Sequence, residues 1–519
     1  MQPTNLGVMT LALTAGTAIA ATTFERAGGT LGAVEHAKDI IRLASLDFYL
    51  VGSRFPDAPP YYNMALGQRW DSNGNVLSQT HIDSPDNDVA FGITEYFDGL
   101  SDDRVWAIHT STFNSGSHEL ALVRVDDTTG IVWAKRFAGR AYGYAGDGGA
   151  IRNVADTGFV VASNAPSPLS PFASAGNLLR TDPDGVITFQ KAYTLNAQDI
   201  HAVDFADVAY HAPSDEFVVV GTVTQTEGDP IVASDIVVAR LNSSGTVLWA
   251  TTFDISSPDW SNGEQSYDYG KGLTIRLDGN IVVAAQCDVG SSGYSSTALL
   301  LLSPSGGLLG STAVREFQAA NAAVRYSWID NDVVIGGSYN FGDGGSMASM
   351  MLVDNLLNLK WRHTYSDTSR GEAVYFLDDD TDPTLLLAGG NVNYTNGFEG
   401  EAYVARADYN GKTGCEAPWN DVIPIIVTPT SVTLASHALP EPLVWQPTLT
   451  EVVPTGSVVC SPVNPCPADF NGDGFLDFTD FDDFVTAFEN GDASADFNGD
   501  GFLDFTDFDD FVAAFEQGC

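Results

Sequence analysis

The sequence predicts a mostly β protein: a seven-bladed β-propeller, then a short β-rich stalk, then a small α-helical calcium-binding domain. Three observations carry this prediction. A strongly apolar strand pattern recurs seven times between residues 22 and 415, roughly every 55 residues. Each recurrence leads into a turn rich in Asp, Asn and Gly. The unit DFNGDGFLDFTDFDDFV occurs twice near the C-terminus, from Asp469 and again from Asp496. The predicted divisions are a leader over 1–20, the propeller over 21–415, the stalk and linker over 416–465, and the calcium domain over 466–519.

The chain opens with an apolar stretch, Leu6 to Ala20, that ends in Ala18-Ile19-Ala20. A small-x-small ending after an apolar run is the pattern of a secretory signal cleaved after Ala20. The stretch is too short to span a bilayer comfortably, and no later run is long enough to try. A secreted, extracellular protein is expected, although the segment before the apolar run lacks Lys and Arg.

Within the propeller region the apolar strands are 48–53, 104–111, 158–164, 216–223, 280–286, 332–338 and 384–390. The turns that follow are 70–75, 125–130, 181–185, 241–245, 303–307, 353–358 and 407–411. A fourth strand often carries an aromatic: Trp133, Phe189, Trp249 or Trp361. Four short strands at this period are propeller blades, and closing them into a ring leaves few free sheet edges. No fourth strand follows the last turn. The segment TTFERAGG (22–29) is similar to AKRFAGR (134–140), so Thr22–Arg26 is expected to pair beside Ala402–Asp408 and close the ring. The repeat resembles secreted propellers with PQQ-like and delta-60-like repeats. That resemblance is one of pattern and assigns no residue a role.

Residues 416–465 are rich in Pro, Val and Thr, and Pro keeps such segments off central strands. They are read as a short β-rich or extended stalk, with a link around Ser461–Pro465. Of the five cysteines, Cys415 and Cys460 bracket the stalk, and Cys466 and Cys519 bracket the tail. Secretion permits disulfides, so these two pairs are expected as bridges. Cys287 is expected as a buried thiol. None has CxxC spacing, which argues against zinc.

The tail repeat reads as a calcium loop. Positions 1, 3, 5, 9 and 12 are Asp469, Asn471, Asp473, Asp477 and Asp480, then Asp496, Asn498, Asp500, Asp504 and Asp507. The carbonyls at position 7 belong to Phe475 and Phe502. Calcium takes six to eight hard oxygen ligands of these kinds, and Gly474 and Gly501 occupy the sharp turn at position 6. A helix follows each loop. Phe481, Phe484 and Phe488, like Phe508, Phe511 and Phe515, fall on one helical face.

This pattern over Cys466–Cys519 resembles a dockerin domain, most closely the variant ending in Gly-Cys, the GC-type dockerin. Membership would imply two bound Ca2+ ions and docking to a cohesin-type module. It would also give loop positions 10 and 11, Phe478-Thr479 and Phe505-Thr506, to the partner. Asp at position 12 is usual in that family.

The formal charge is -44, and 15 of the acids lie in residues 467–519, which hold no Lys or Arg. Such a surface repels nucleic acid and anionic membranes. The eight histidines are scattered, and neither HExxH nor GxSxG occurs. No catalytic residue is assigned, and His109, in an apolar strand, reads as a core or edge histidine. A glycosidase needs two carboxylates at a set separation, which sequence does not reveal. The acidic-aromatic loop 256–272 offers Trp260, Tyr267 and Tyr269 as stacking surfaces for a sugar, or simply covers a sheet edge. Two functions remain. One is a binding propeller, for protein or glycan, displayed through its dockerin. The other is a dockerin-borne, polysaccharide-active enzyme with its site in the propeller funnel.

Overall fold

The computed structural model describes residues 23–460 apart from 30–32, 44–46, 57–61, 85–86, 98–101, 112–117, 127–128, 138–148, 156, 168–172, 196–200, 226–232, 257–266, 289–294, 316, 327–331, 342–344, 366–371, 379–383, 393–400, 414–416, 419–421, 424–425, 439–442, 445–447 and 453–454; beyond them it describes Ala468, Phe470, 478–492, Ala495, Phe497 and 503–517. The leader prediction falls on 1–20, outside the described residues. Two compact units emerge, Thr23–Pro462 and one holding Val463–Cys519.

The larger unit is a β-propeller built from antiparallel sheets. In one of them Ala150–Asn153, Phe159–Pro166, Ser174–Thr181 and Ile187–Leu195 follow one another edge to edge. Each strand alternates its side chains between two faces, and both faces are apolar because each meets a neighbouring sheet. The buried clusters accordingly draw on two sheets at a time. Leu178 and Tyr193 pack with Phe205, Phe217 and Val237, and Val218 and Ile236 pack with Ile281 and Leu300.

The blade count needs correction. The sequence predicted seven four-stranded blades; the described residues form six hydrogen-bonded sheets, five of five strands and one of ten. The first and last sequence repeats share the ten-stranded sheet, joined where His36 pairs with Gly390. The ladder beside Gly390 shifts register between Gly390 and Val392, and such bulges re-aim a backbone toward a new neighbour. The expected closure is present. Strand Phe24–Gly29 pairs antiparallel with Glu401–Asp408, with Phe24 opposite Arg406 and Arg26 opposite Val404.

The fifth strands come from the segment predicted as a stalk, and this is a second correction. The described strands within 417–460 form a belt on the outer edges of the propeller. Ala417–Pro418 pairs with Leu359–Tyr365, Val422–Ile423 with Leu308–Val314, and Ile426–Ser431 with Val247–Ser256. Leu434–Ala438 then pairs with Ile187–Leu195 and Leu443–Val444 with Gly130–Phe137. Finally Thr448–Val452 and Thr455–Cys460 take the two edges of the ten-stranded sheet, on Val76–Asp83 and Phe24–Gly29. The belt visits the sheets in the reverse of chain order.

Pro429 in the belt sits as edge chemistry requires. Val432 N donates to Ala250 O at 3.0 Å. Donor direction alternates along a strand, so position 429 faces away from the sheet. Pro429 therefore sacrifices no ladder bond and interrupts the row of free edge donors.

Neighbouring sheets are also latched through their turns. The indole of Trp133 donates to Pro183 O at 3.2 Å, that of Trp249 to Pro304 O at 3.1 Å, and that of Trp361 to Tyr409 O at 3.2 Å. Each ring covers the turn glycine of the next sheet, where a Cβ would meet it within 2.9 Å: Trp133 over Gly185, Trp249 over Gly306, Trp361 over Gly411. Those glycines have φ of 69°, 84° and 74°, the left-handed conformation that suits glycine. Arginines reach turns of the same kind. Arg180 donates to Ser243 O at 3.1 Å, Arg240 to Pro304 O at 3.1 Å, and Arg406 to Ser72 O at 2.9 Å.

Candidate functional site

The smaller unit is built on helices α1 (Phe478–Asn490) and α2 (Phe505–Gln517). The apolar periodicity of each helix gathers Phe481, Phe484, Phe488, Phe508, Phe511 and Phe515 into one core. Its centre is the stack of Phe484 on Phe511, with centroids 3.9 Å apart and planes 5° from parallel. These two residues are equivalent in the two repeats. Their neighbours are equivalent as well. Phe470 meets Phe484 at 5.3 Å and 87°, and Phe497 meets Phe511 at 5.4 Å and 89°. Phe481 meets Phe511 at 6.1 Å and 48°, and Phe508 meets Phe484 at 6.1 Å and 50°. The two repeats thus pack about a local two-fold axis that passes between the stacked rings.

Among the described residues two rings stay outside that core. Phe478 is 82 % exposed and Phe505 78 %. They hold the same place in the two repeats, so the axis relates them, and the adjacent Thr479 and Thr506 are exposed too. Asp482, Asp483, Asp509 and Asp510 are exposed one turn further along. The unit therefore offers two matching faces, each an aromatic ring beside acids.

The carboxylates at the helix starts are held by the backbone. Asp504 Oδ1 accepts from Thr506 N at 2.8 Å, and Asp507 Oδ2 accepts from Asp504 N at 2.9 Å. This reciprocal pair is a capping box on α2. The bond from Thr506 holds the Asp504 acid below its usual range. Asp480 and Asp507, the two position-12 acids, are both fully buried in the first helical turn. There the helix dipole favours negative charge.

Of the predicted metal ligands only Asp480, Asp504 and Asp507 are described; Asp469, Asn471, Asp473, Phe475, Asp477, Asp496, Asn498, Asp500 and Phe502 lie outside the described residues. Among the described residues no group of three or more His, Cys, Asp or Glu is placed to hold a metal. The donor set itself fits Ca2+: it is all oxygen, and both position-12 carboxylates are already turned inward and buried. Cys415, Cys466 and Cys519 also lie outside the described residues. Cys460 is given by its backbone, opposite Glu25. Cys287 is a buried thiol as expected, its Sγ 3.6 Å from Ser296 O.

On the propeller, Trp260 lies outside the described residues. Tyr269 faces the Lys271 ammonium at 5.8 Å, and Tyr267 pairs with Ser234 through an isolated bridge. The half-buried His109 ring packs edge-on against Phe91 at 4.4 Å, in keeping with the core or edge role expected of it. Sequence reasoning missed Asp235. It lies one step beyond the Ile236–Phe253 pair, so it faces Asp254 across adjacent strands. Burial, with the Asp254 charge, pushes its acid up to about 6.

No protein-family description and no curated protein matches this chain. Among solved structures it is similar to the Dos1 propeller, at 12% identity and a TM-score of 0.38, over 75% of this chain and 96% of that one. It is also similar to a eukaryotic initiation factor, at 10% identity and a TM-score of 0.30, over 75% and 90% of the two chains. No helix among the described residues is long and apolar enough to cross a membrane.

Proposed function

We propose that this is a secreted binding propeller displayed through a C-terminal dockerin-like unit that docks a cohesin-type module in the presence of calcium. The observation that carries the reading is the pair of exposed, two-fold-related rings, Phe478 and Phe505. An aromatic left in water on each of two equivalent faces, beside a fully formed Phe core, is the composition of an interface. Calcium supplies charge neutralisation for the acidic loops. Asp469, Asn471, Asp473, Asp477 and Asp480, with the Phe475 carbonyl, would hold one ion. Asp496, Asn498, Asp500, Asp504 and Asp507, with the Phe502 carbonyl, would hold the other. Like charges this close repel without a cation, so metal and folding are coupled.

Two matching faces support two docking orientations. The test is binding of the full-length protein to a panel of purified cohesin modules, with calcium and with chelator. Phe478→Ala and Phe505→Ala should each keep binding within a few-fold, while the double variant loses at least about a hundredfold, since each interface would lose its central aromatic. Binding that ignores chelator, or a double variant as tight as the parent, would contradict the reading.

A second reading, a polysaccharide-active hydrolase, draws on one observation. Burial, with the Asp254 charge, pushes the Asp235 acid up to about 6, the direction a general acid needs. Activity on a polysaccharide panel that vanishes in both Asp235→Asn and Asp254→Asn would favour it.

A further inference from the structure

We propose that the belt is a clasp: the strand Thr455–Cys460 locks the ring by trapping the N-terminal strand, so ring closure depends on the segment leading into the C-terminal unit. Strand Phe24–Gly29 is held on one side by Glu401–Asp408 and on the other by Thr455–Cys460. Elsewhere the fourth strand of a sheet follows the third through a tight turn, as Ile187–Leu195 follows Ser174–Thr181. The N-terminal strand has no such turn, because nearly the whole propeller separates it from its partner in the chain. Its docking gains nothing from short loop closure. A strand at a chain end also frays unless it is tied down. The ring therefore closes on its most easily lost strand.

The belt answers this unevenly. Its described strands have two residues at Ala417–Pro418, Val422–Ile423 and Leu443–Val444, five at Leu434–Ala438 and Thr448–Val452, and six at Ile426–Ser431 and Thr455–Cys460. The long grips include both edges of the ten-stranded sheet, the sheet in which the ring is completed. Adding a second ladder to the N-terminal strand turns an edge strand into an interior one.

The sequence provides its own reporter. Arg26 is the first Lys or Arg of the chain and lies within the trapped strand, whereas Lys412 is the last, so 413–519 offer trypsin no site. Trypsin thus reads release of the N-terminal strand without cutting the belt. The experiment uses full-length, calcium-loaded protein carrying Ser457→Pro or Val458→Pro. Donor direction alternates, so one of these two prolines removes a ladder donor facing the N-terminal strand. That variant should be cut at Arg26 at least about tenfold faster, with cleavage at Arg180 and Arg240 unchanged, because local opening governs cleavage of a folded chain. Unchanged Arg26 cleavage in both variants overturns the proposal. Hydrogen exchange on the unmodified protein decides independently, even if a variant unfolds throughout. Amides of 24–29 and 455–460 should share one protection level. Exchange of 455–460 about a hundredfold faster than 24–29 would show that the N-terminal strand holds without its clasp.

Discussion

Asp235 shows what a single charged residue costs an interior strand. Its folded acid value, about 6, lies above the ordinary 3.8 because of burial and the facing Asp254. The folded state then takes up a proton before the unfolded chain does. Stability rises as pH falls through 6, is fully present below 3.8, and is lost again as pH climbs back. Asp235→Asn should therefore stabilise the protein at pH 7 and flatten its stability between pH 4 and 7. The site is partly exposed, so solvent screening limits the gain to on the order of 1 kcal/mol. Urea denaturation at pH 5 and pH 8 checks this: a variant less stable than the parent at pH 8 would refute it. Nothing in the sequence marks Asp235, because the pairing that opposes it to Asp254 is set by register. Phe478 and Phe505 were different. Their place at loop position 10 of a duplicated unit that resembles a dockerin singles them out in the sequence.

Strands and turns were legible where they repeat. The Asp/Asn/Gly turns and fourth-strand aromatics declared themselves by period, and closure by Phe24–Gly29 followed from one missing strand. The belt was not legible as a belt. Its Pro-rich composition excludes central strands and fits either a stalk or an edge, and only pairing tells these apart. Blade fusion at His36 and Gly390 was hidden for the same reason. One interface also inverts the common pattern. At the position of Trp249 the next repeat has Gly310, whose Cβ would meet nothing within 4 Å. The turn it faces has Leu357 in place of glycine, buried and at φ 66°. The bulk has moved from strand to turn. Gly310→Trp alone should cost about 1–3 kcal/mol by overpacking, and Leu357→Gly a similar amount by its cavity. Together they should recover at least half of the sum, measured as a double-mutant cycle in urea. Strict additivity would show that the two positions do not share a space.

At the scale of the whole molecule, the chain is two units with different logic. The propeller is a scaffold whose outer edge strands carry its own belt, and the helical unit is a duplicated pair of helices that we propose as a calcium-dependent docking element. The most direct test is a calorimetric titration of calcium into chelator-stripped full-length protein, followed in parallel by circular dichroism. The account predicts uptake of two ions per chain with a gain of helix, falling to one ion in Asp473→Ala and in Asp500→Ala. No uptake, with both helices intact in chelator, would contradict it.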